Sequence, residues 1–339
     1  MRLRVLPSLL LLFFAACQLA AQAPSNPEKF SPPSRTFRFT YSFTVKDIPA
    51  GTKLIRVWVP VAQTDEHQTV RLVETNASVK SQITREPEYG NKIMYLELRN
   101  PAQSPASFTL VYEVTRKEFS RGAYAQLERK DSKPGLVPAS MTRFVEPDQL
   151  IPTDGKMKAL ANEVTGSATG TVAKAKAAYD YLFTTMRYDK SGTGWGRGDA
   201  VWACDAKHGN CTDFHSPFIA MMRADGIPAQ FDIGFPLPEG KTSGDIPGYH
   251  CWAEFYSKNI GWVPVDISEA WKAQQKRDYF FGTIDANRIK FSTGRDITLV
   301  PKQDGPPLNY FVYPYVEVDG KPYDKLDKRF SFEEAKSSN

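Results

Sequence analysis

The sequence predicts an α+β protein in which an antiparallel β-sandwich comes first, a mixed helix and strand domain second, and a β-rich tail last. Two patterns carry that expectation. Up to Lys117 the apolar residues recur at every second position, in short runs separated by Pro, Gly and Asn, which is the period of strands with one buried face. Beyond about residue 141 the repeat lengthens to 3.6 residues and later returns to two, so helices precede strands in the second half. The bulk composition agrees: among 339 residues, 41% are hydrophobic and 24% charged, the ordinary range for a globular protein. That length suits about two domains, each with its own core. The net charge of +5 comes without a long basic run or a glycine-rich phosphate loop, which argues against nucleic acid as a partner.

Residues 1–23 carry Arg2 and Arg4, an apolar run from Leu9 to Ala16 and then small residues to Ala23, with no acid among them. This is the pattern of an export signal peptide, and it points to a periplasmic or secreted protein. The run falls short of the roughly 20 residues a membrane helix needs, and no other stretch is long enough, so no transmembrane span is expected. Ala21-Gln22-Ala23 fits the small-x-small cleavage rule but is followed by Pro24. Phe14-Ala15-Ala16-Cys17 resembles a bacterial lipobox, so lipid anchoring through Cys17 is the alternative. Residues 24–34 are rich in Pro, Ser, Asn and Lys and read as a disordered lead-in.

The sandwich is assigned to residues 35–117. Phe37, Phe39, Tyr41, Phe43 and Val45 alternate with polar residues, and further strand-like runs lie at 54–61, 69–73, 79–83, 93–98 and 108–114. Residues 118–140 lack clear periodicity and read as a linker. The second domain spans 141–285. There Val172, Ala175, Tyr179, Leu182, Phe183 and Met186 mark an amphipathic helix over 171–186. A second helix follows Cys211 and ends at Gly226, and strands are expected at 230–235, 249–256 and 261–266. Residues 286–339 form the tail, with a strand at 311–318.

Beyond Cys17 there are three cysteines, Cys204, Cys211 and Cys251, so at least one thiol has no partner within the chain. In an oxidising compartment such a thiol is a liability unless it is buried or used. Cys211, in Gly209-Asn210-Cys211-Thr212-Asp213-Phe214, sits where a helix should begin, and the positive end of a helix stabilises a thiolate, the reactive form of cysteine. A cysteine nucleophile also needs a base, and the base needs an orienting acceptor. His250 and Asp266 meet that need. Their segments are joined by the polar link Ser257-Lys258-Asn259-Ile260, which suits an antiparallel hairpin with its turn centred near Lys258. That register sets His250 directly opposite Asp266, about 5 Å away. One face of the hairpin then holds His250, Trp252, Glu254, Trp262, Pro264 and Asp266 toward a cleft. The other sends Cys251, Ala253, Phe255, Val263 and Val265 into the core. Pro264 implies an edge strand or a bulge and could move the register. Pro217 sets a second expectation: a helix running through it loses an amide hydrogen bond, so the helix starts late, capped by Ser216, and its dipole lies away from Cys211.

These segments resemble the transglutaminase-like superfamily, whose members share a Cys-His-Asp triad in this chain order on a papain-like core. The likeness rests on Gly209 to Phe214 with Arg223 to Ala229, on Tyr249-His250-Cys251-Trp252-Ala253-Glu254, and on Gly261-Trp262-Val263-Pro264-Val265-Asp266, and it runs from about Met157 to Trp271. It implies that Cys211 attacks an amide or ester carbonyl, that His250 moves the proton, and that Asp266 orients the imidazole. An acyl-enzyme follows, released by water as a peptidase or amidase would, or by an amine as in cross-linking. The backbone amide of Cys211 and one further donor would meet the oxyanion, with Trp202 and Trp195 as candidates and Trp252 as a further cleft residue. The implied partner is a protein or peptide substrate, cell-wall peptide included, and no cofactor or metal is called for.

Two other readings compete. Cys204, His208, Cys211 and His215 form a C-x3-H-x2-C-x3-H run of zinc-ligand types, although Gly209 interrupts it. The fold could instead be a non-catalytic module that binds polymer or protein, since Trp195, Trp202, Trp252 and Trp262 gather near the expected cleft. Cys251 reads as a small core residue or as one half of a disulfide with Cys204. His67 reads as a surface residue and His215 as a helix residue near the site. Asp213, Asp225 and Asp232 read as capping or structural carboxylates.

Overall fold

The structure, a computed structural model, describes residues 33–77, 79–102, 105–131, 133 and 137–335. The expected signal peptide, Cys17 and nearly all of the lead-in lie outside the described residues. Among the described residues no helix is long and apolar enough to cross a membrane.

Six strands open the chain: β1 (Ser34–Val45), β2 (Leu54–Val61), β3 (Gln68–Asn76), β4 (Ser81–Arg85), β5 (Lys92–Arg99) and β6 (Ala106–Lys117). Then come β7 (Phe119–Ser120), α1 (Tyr124–Lys130), α2 (Gly155–Thr165), α3 (Thr171–Thr185), β8 (Arg187–Tyr188), α4 (Ala200–Ala206), β9 (His208–Gly209) and α5 (Cys211–Ala224). The second half adds β10 (Ala229–Pro236), β11 (Ser243–Ile246), β12 (His250–Ser257), β13 (Gly261–Val265), α6 (Ile267–Lys272) and β14 (Thr283–Ile284). Last are β15 (Arg288–Thr293), β16 (Tyr315–Val318), β17 (Lys321–Pro322) and β18 (Leu326–Glu334). The architecture is α+β.

Two five-stranded sheets make the sandwich, ordered β11-β18-β1-β6-β3 and β17-β16-β2-β5-β4. Both contain strands from the tail. β18 pairs antiparallel with β1, from Phe37↔Glu334 to Val45↔Leu326, and β16 lies against β2. The alternation in β1 decides why β18 docks there: Phe37, Phe39, Tyr41 and Phe43 all point inward and are buried. Phe330 and Phe332 of β18 continue that buried face. Residues 118–140 also carry structure, since β7 pairs with β14 and α1 buries Leu127.

The four-stranded sheet β13-β12-β10-β15 is the centre of the second half, with α5 packed on one face. Nearly every residue of α5 is buried, including Phe218, Ile219, Met221 and Met222, as expected for a helix apolar around most of its circumference. One apolar cluster runs without a break from the sandwich through this sheet to α3 and α5. Phe235 on β10 is its junction, with ring centroids 5.3 Å from Phe39, 4.3 Å from Phe330 and 5.3 Å from Phe291. Truncating Phe235 to alanine should therefore cost about 3–5 kcal/mol, lost from sandwich and core together in one urea transition. A loss below about 1 kcal/mol, or two separate transitions, would show that the two halves are not coupled through this ring.

Candidate active site

The site starts at the N-terminus of α5, which begins at Cys211 and not after Pro217. The sequence-based expectation of a late start capped by Ser216 fails because Asn210 caps the helix first. Its side chain accepts from the Thr212 amide at 2.9 Å, and Asp213 accepts from the Asn210 amide at 2.9 Å, a reciprocal capping box. Ser216 instead donates to the Thr212 carbonyl at 2.8 Å. Pro217 sits inside the helix, where it costs one backbone hydrogen bond but not the first turn. Asp213 also accepts from the amides of Gly196 at 2.7 Å and Gly198 at 3.0 Å, so one carboxylate both caps α5 and pins the preceding loop. Gly209 permits that approach, because a Cβ there would stand 2.3 Å from Asp213 Oδ2.

His250 begins β12, and Asp266 follows β13 as the N-cap of α6. The hairpin register is Ala253↔Val265 to Ser257↔Gly261, two residues away from the expected one. The turn is centred on Asn259 because Gly261, at φ +89°, takes the left-handed conformation that closes a three-residue loop. Continued one step, this register sets Asp266 across from Trp252 and makes His250 its diagonal neighbour, still on the same face. His250 Nε2 lies 2.7 Å from Asp266 Oδ2. With Nε2 donating to that carboxylate, Nδ1 is the nitrogen left for Cys211, whose ionisation is linked to that of His250, and Glu269 Oε1 lies 3.8 Å from Nδ1. The structure thus brings Cys211, His250 and Asp266 together, all three buried.

The supporting residues had only weak sequence signals. Arg288 Nη1 donates to Asp266 Oδ2 at 2.9 Å and is itself held by Asp285. Asp266 Oδ1 accepts from the Glu269 amide at 3.0 Å, which starts α6. His215, one turn along α5 from Cys211, accepts at Nε2 from the Ile267 amide at 3.0 Å. Burial pushes His215 down to about 4, so it is neutral at physiological pH. Tyr249 accepts from Asn210 Nδ2 at 3.0 Å, and its ring centroid is 5.4 Å from that of Tyr310 and 5.9 Å from that of Tyr313. Of these partners, Asn210 had the clearest signal, a cap residue three positions before Asp213.

The charges are strongly coupled. Burial alone would raise the Cys211 thiol, but hydrogen bonds from Cys251 and His250 and the charge of His250 hold it well below its ordinary value. Burial opposes protonation of His250, yet the charge and hydrogen bond of Asp266, with Cys211, raise it to about 10. Burial would likewise raise Asp266, which His250 and Arg288 hold well below the usual carboxylate range. The arrangement favours a thiolate and imidazolium pair beside an ionised carboxylate.

Several expectations need correction. Trp252 does not line a cleft: it is 1% exposed, packed with Phe119 and Ile284, and Arg288 lies 5.0 Å above its ring. Trp262 packs edge-to-face with Phe144 and Tyr256 toward the far end of the hairpin. Trp202 packs against Gly194 and His208, and Trp195 has Lys190 5.9 Å from its ring. Cys251 is buried as expected, but it faces Cys211 and His215, because α5 packs on the face of the sheet that holds it. Cys204 stands apart, 3.9 Å from Met157 Sδ, and Cys204, Cys211 and Cys251 are all free thiols. The zinc run does not converge: His208 Nδ1 lies 3.3 Å from the Asp189 carbonyl, and among the described residues no three ligand-type side chains gather to hold a metal. His67 is half-buried, stacked on Phe119 at 3.6 Å.

The model of the transglutaminase-like superfamily matches residues 158–267, the span from α2 to the first residue of α6. Residues 158–267 belong to the transglutaminase-like superfamily. Among curated proteins, the chain is 28% identical over 357 aligned positions to an uncharacterized protein of Haemophilus influenzae, covering 94% of this chain and 96% of that one. It is 27% identical over 125 positions to the uncharacterized protein YebA of Bacillus subtilis, covering 33% of this chain and 17% of that one. Among solved structures, a candidate cysteine protease from Cytophaga hutchinsonii superposes with a TM-score of 0.56 at 17% identity, covering 90% of this chain and 99% of that one. That likeness extends the shared fold beyond the transglutaminase-like segment to the sandwich.

Proposed function

We propose that the protein is an exported thiol enzyme that acts on amide bonds through Cys211, His250 and Asp266 by way of an acyl-enzyme. The observation that carries this reading is the 2.7 Å contact of His250 Nε2 with a fully buried Asp266, which leaves Nδ1 for Cys211 at the start of α5. The Cys211 thiolate adds to the carbonyl carbon, and the oxyanion meets the backbone amide of Cys211. His250, already protonated, gives its proton to the leaving amine, and Asp266 holds the ring in place. Water or a second amine then attacks the thioester, with His250 as the base.

The substrate class is a protein or peptide, cell-wall peptide included. A cleft of about 350 Å³ opens beside His250, lined among others by Glu269, Lys272, Lys276, Arg288 and Pro247. Its acids and bases are paired with one another, Lys272 with Glu269 at 2.7 Å and Lys276 with Glu239 at 2.8 Å. Such balanced polarity suits a peptide backbone better than a strongly charged polymer. The leader pattern of residues 1–23 supports the export assignment, with Cys17 as the place for a lipid anchor.

The test is iodoacetamide alkylation of the native protein, mapped to Cys211 and followed with pH. The thiolate is present once pH exceeds the depressed pKa of Cys211, and the ion pair is lost as His250 deprotonates near 10. Labelling should therefore be fast and flat across neutral pH, with a change only near pH 10. A rate that climbs steadily through about 8.5, as a free thiol does, would refute the ion pair. If the pair is present, adding a primary amine to a turnover assay separates transfer from hydrolysis.

A further inference from the structure

Cys251 is the thiol at this site that acyl transfer does not use. It is the second residue of β12, directly after His250, and is fully buried against His215 of α5. Its sulfur lies 3.8 Å from Nδ1 of His215, one helical turn along α5 from Cys211, and the two thiols act on each other's ionisation. Because His215 Nε2 accepts from the Ile267 amide, His215 is fixed in place. Cys211 and Cys251 therefore sit on two anchored elements that pack on each other, the capped start of α5 and the central strand β12. Side-chain rotation and a closer approach of the packed α5 and β12 would then bring the two sulfurs to disulfide geometry.

We propose that Cys251 is the resolving thiol of Cys211, so that a hydroperoxide converts the pair into an intramolecular disulfide that blocks the nucleophile reversibly and spares it from irreversible oxidation. In the first step the Cys211 thiolate attacks the outer oxygen of the hydroperoxide, the O–O bond breaks, and Cys211 becomes a sulfenic acid. The departing alkoxide or hydroxide takes the proton of the His250 imidazolium. In the second step the Cys251 sulfur attacks the sulfenic sulfur, the S–O bond breaks, and the Cys251 proton leaves with the hydroxide as water. The sulfur pair is oxidised by two electrons and the hydroperoxide reduced by two. The division of labour fits the environments: Cys211 is the activated thiolate, while burial keeps Cys251 protonated until a sulfenic acid forms beside it. Cys204, on α4 beside Met157 of α2, lies outside the exchange.

This inference rests on Cys211 being the reactive thiol of the proposed enzyme. The test treats reduced, purified protein with hydrogen peroxide at pH 7, denatures it in iodoacetamide without reductant, and maps the peptides. Wild type should lose Cys211 and Cys251 labelling in step, yield a cross-linked peptide, keep Cys204 labelled, and recover fully with dithiothreitol. Cys251→Ser should give no cross-link, a sulfenic acid at Cys211 that dimedone traps, and then a sulfinic acid that dithiothreitol does not reverse. Sulfinic acid at Cys211 of wild type with Cys251 still open to alkylation would overturn the inference, as would equal recovery of the Cys251→Ser variant. Native alkylation before peroxide separates the two readings. An inert Cys211 defeats the nucleophile and this inference with it, whereas a reactive Cys211 that never cross-links defeats this inference alone.

Discussion

Replacing His250 by alanine is expected to slow alkylation of Cys211 at pH 7 by about 10²- to 10⁴-fold and to remove acyl transfer altogether. The Cys211 thiol is buried, and burial alone opposes ionisation. What offsets it is the hydrogen bond from Cys251 together with two contributions of His250, a hydrogen bond and the charge that Asp266 stabilises on the ring. Two aids survive the substitution, the hydrogen bond from Cys251 and the positive end of α5. A helix terminus contributes only about 0.3–1 kcal/mol, less than the 1.4 kcal/mol that a tenfold change in population requires. The thiol should therefore revert toward its ordinary, protonated state. Asp266 keeps Arg288 and the Glu269 amide as partners, so α6 and the site's frame should persist. Alkylation of the His250→Ala protein within threefold of wild type, with its urea midpoint preserved, would mean that Cys211 is activated by its helix and not by the imidazole.

The sandwich was legible in the sequence because its strands repeat every second residue, and the six expected runs coincide with β1 to β6 to within a few residues. The helix at 171–186 and the strands that hold His250 and Asp266 were legible for the same reason. What failed was geometry set by contacts far apart in the chain. Pairing of β18 with β1 brings Phe37 beside Glu334, and nothing local to either residue announces it. The hairpin register turned on one residue, Gly261, whose left-handed conformation moved the turn centre by one position and the pairing by two. His250 and Asp266 still met because a shift of two preserves the face, where a shift of one would have separated them. Pro217 misled because a proline is a local signal, and the capping box at Asn210 and Asp213 outweighs it. Strand alternation placed Cys251 on the core face correctly. It could not show that the core on that side is the first turn of α5, and hence Cys211 itself.

Asp266→Ala should be the most damaging single change to stability at this site, and comparison with Asp266→Asn separates its two roles. The carboxylate is fully buried and has His250 and Arg288 on one oxygen and the first turn of α6 on the other. Removing one member of a buried ion pair typically costs about 3–5 kcal/mol, because the remaining charge is stranded. Losing the cap adds about 1 kcal/mol. Asparagine keeps an oxygen for the Glu269 amide but no charge, so Asp266→Asn should retain much of the fold and lose the imidazolium. The pH dependence identifies which role has gone. Asp266 is held below its unfolded value, so its contribution is present above about pH 3.9 and fades as pH falls through the folded pKa. His250 is raised, so its contribution is complete below about pH 6.5 and is lost as pH rises through about 10. Wild-type stability from this pair should then be greatest between about pH 4 and 6.5, with a decline on each side. In Asp266→Asn both flanks should flatten, and rapid Cys211 alkylation at pH 7 should disappear while urea unfolding remains cooperative. If Asp266→Ala unfolds within 1 kcal/mol of wild type and keeps the same pH profile, the charge on Asp266 neither supports α6 nor sets the state of His250.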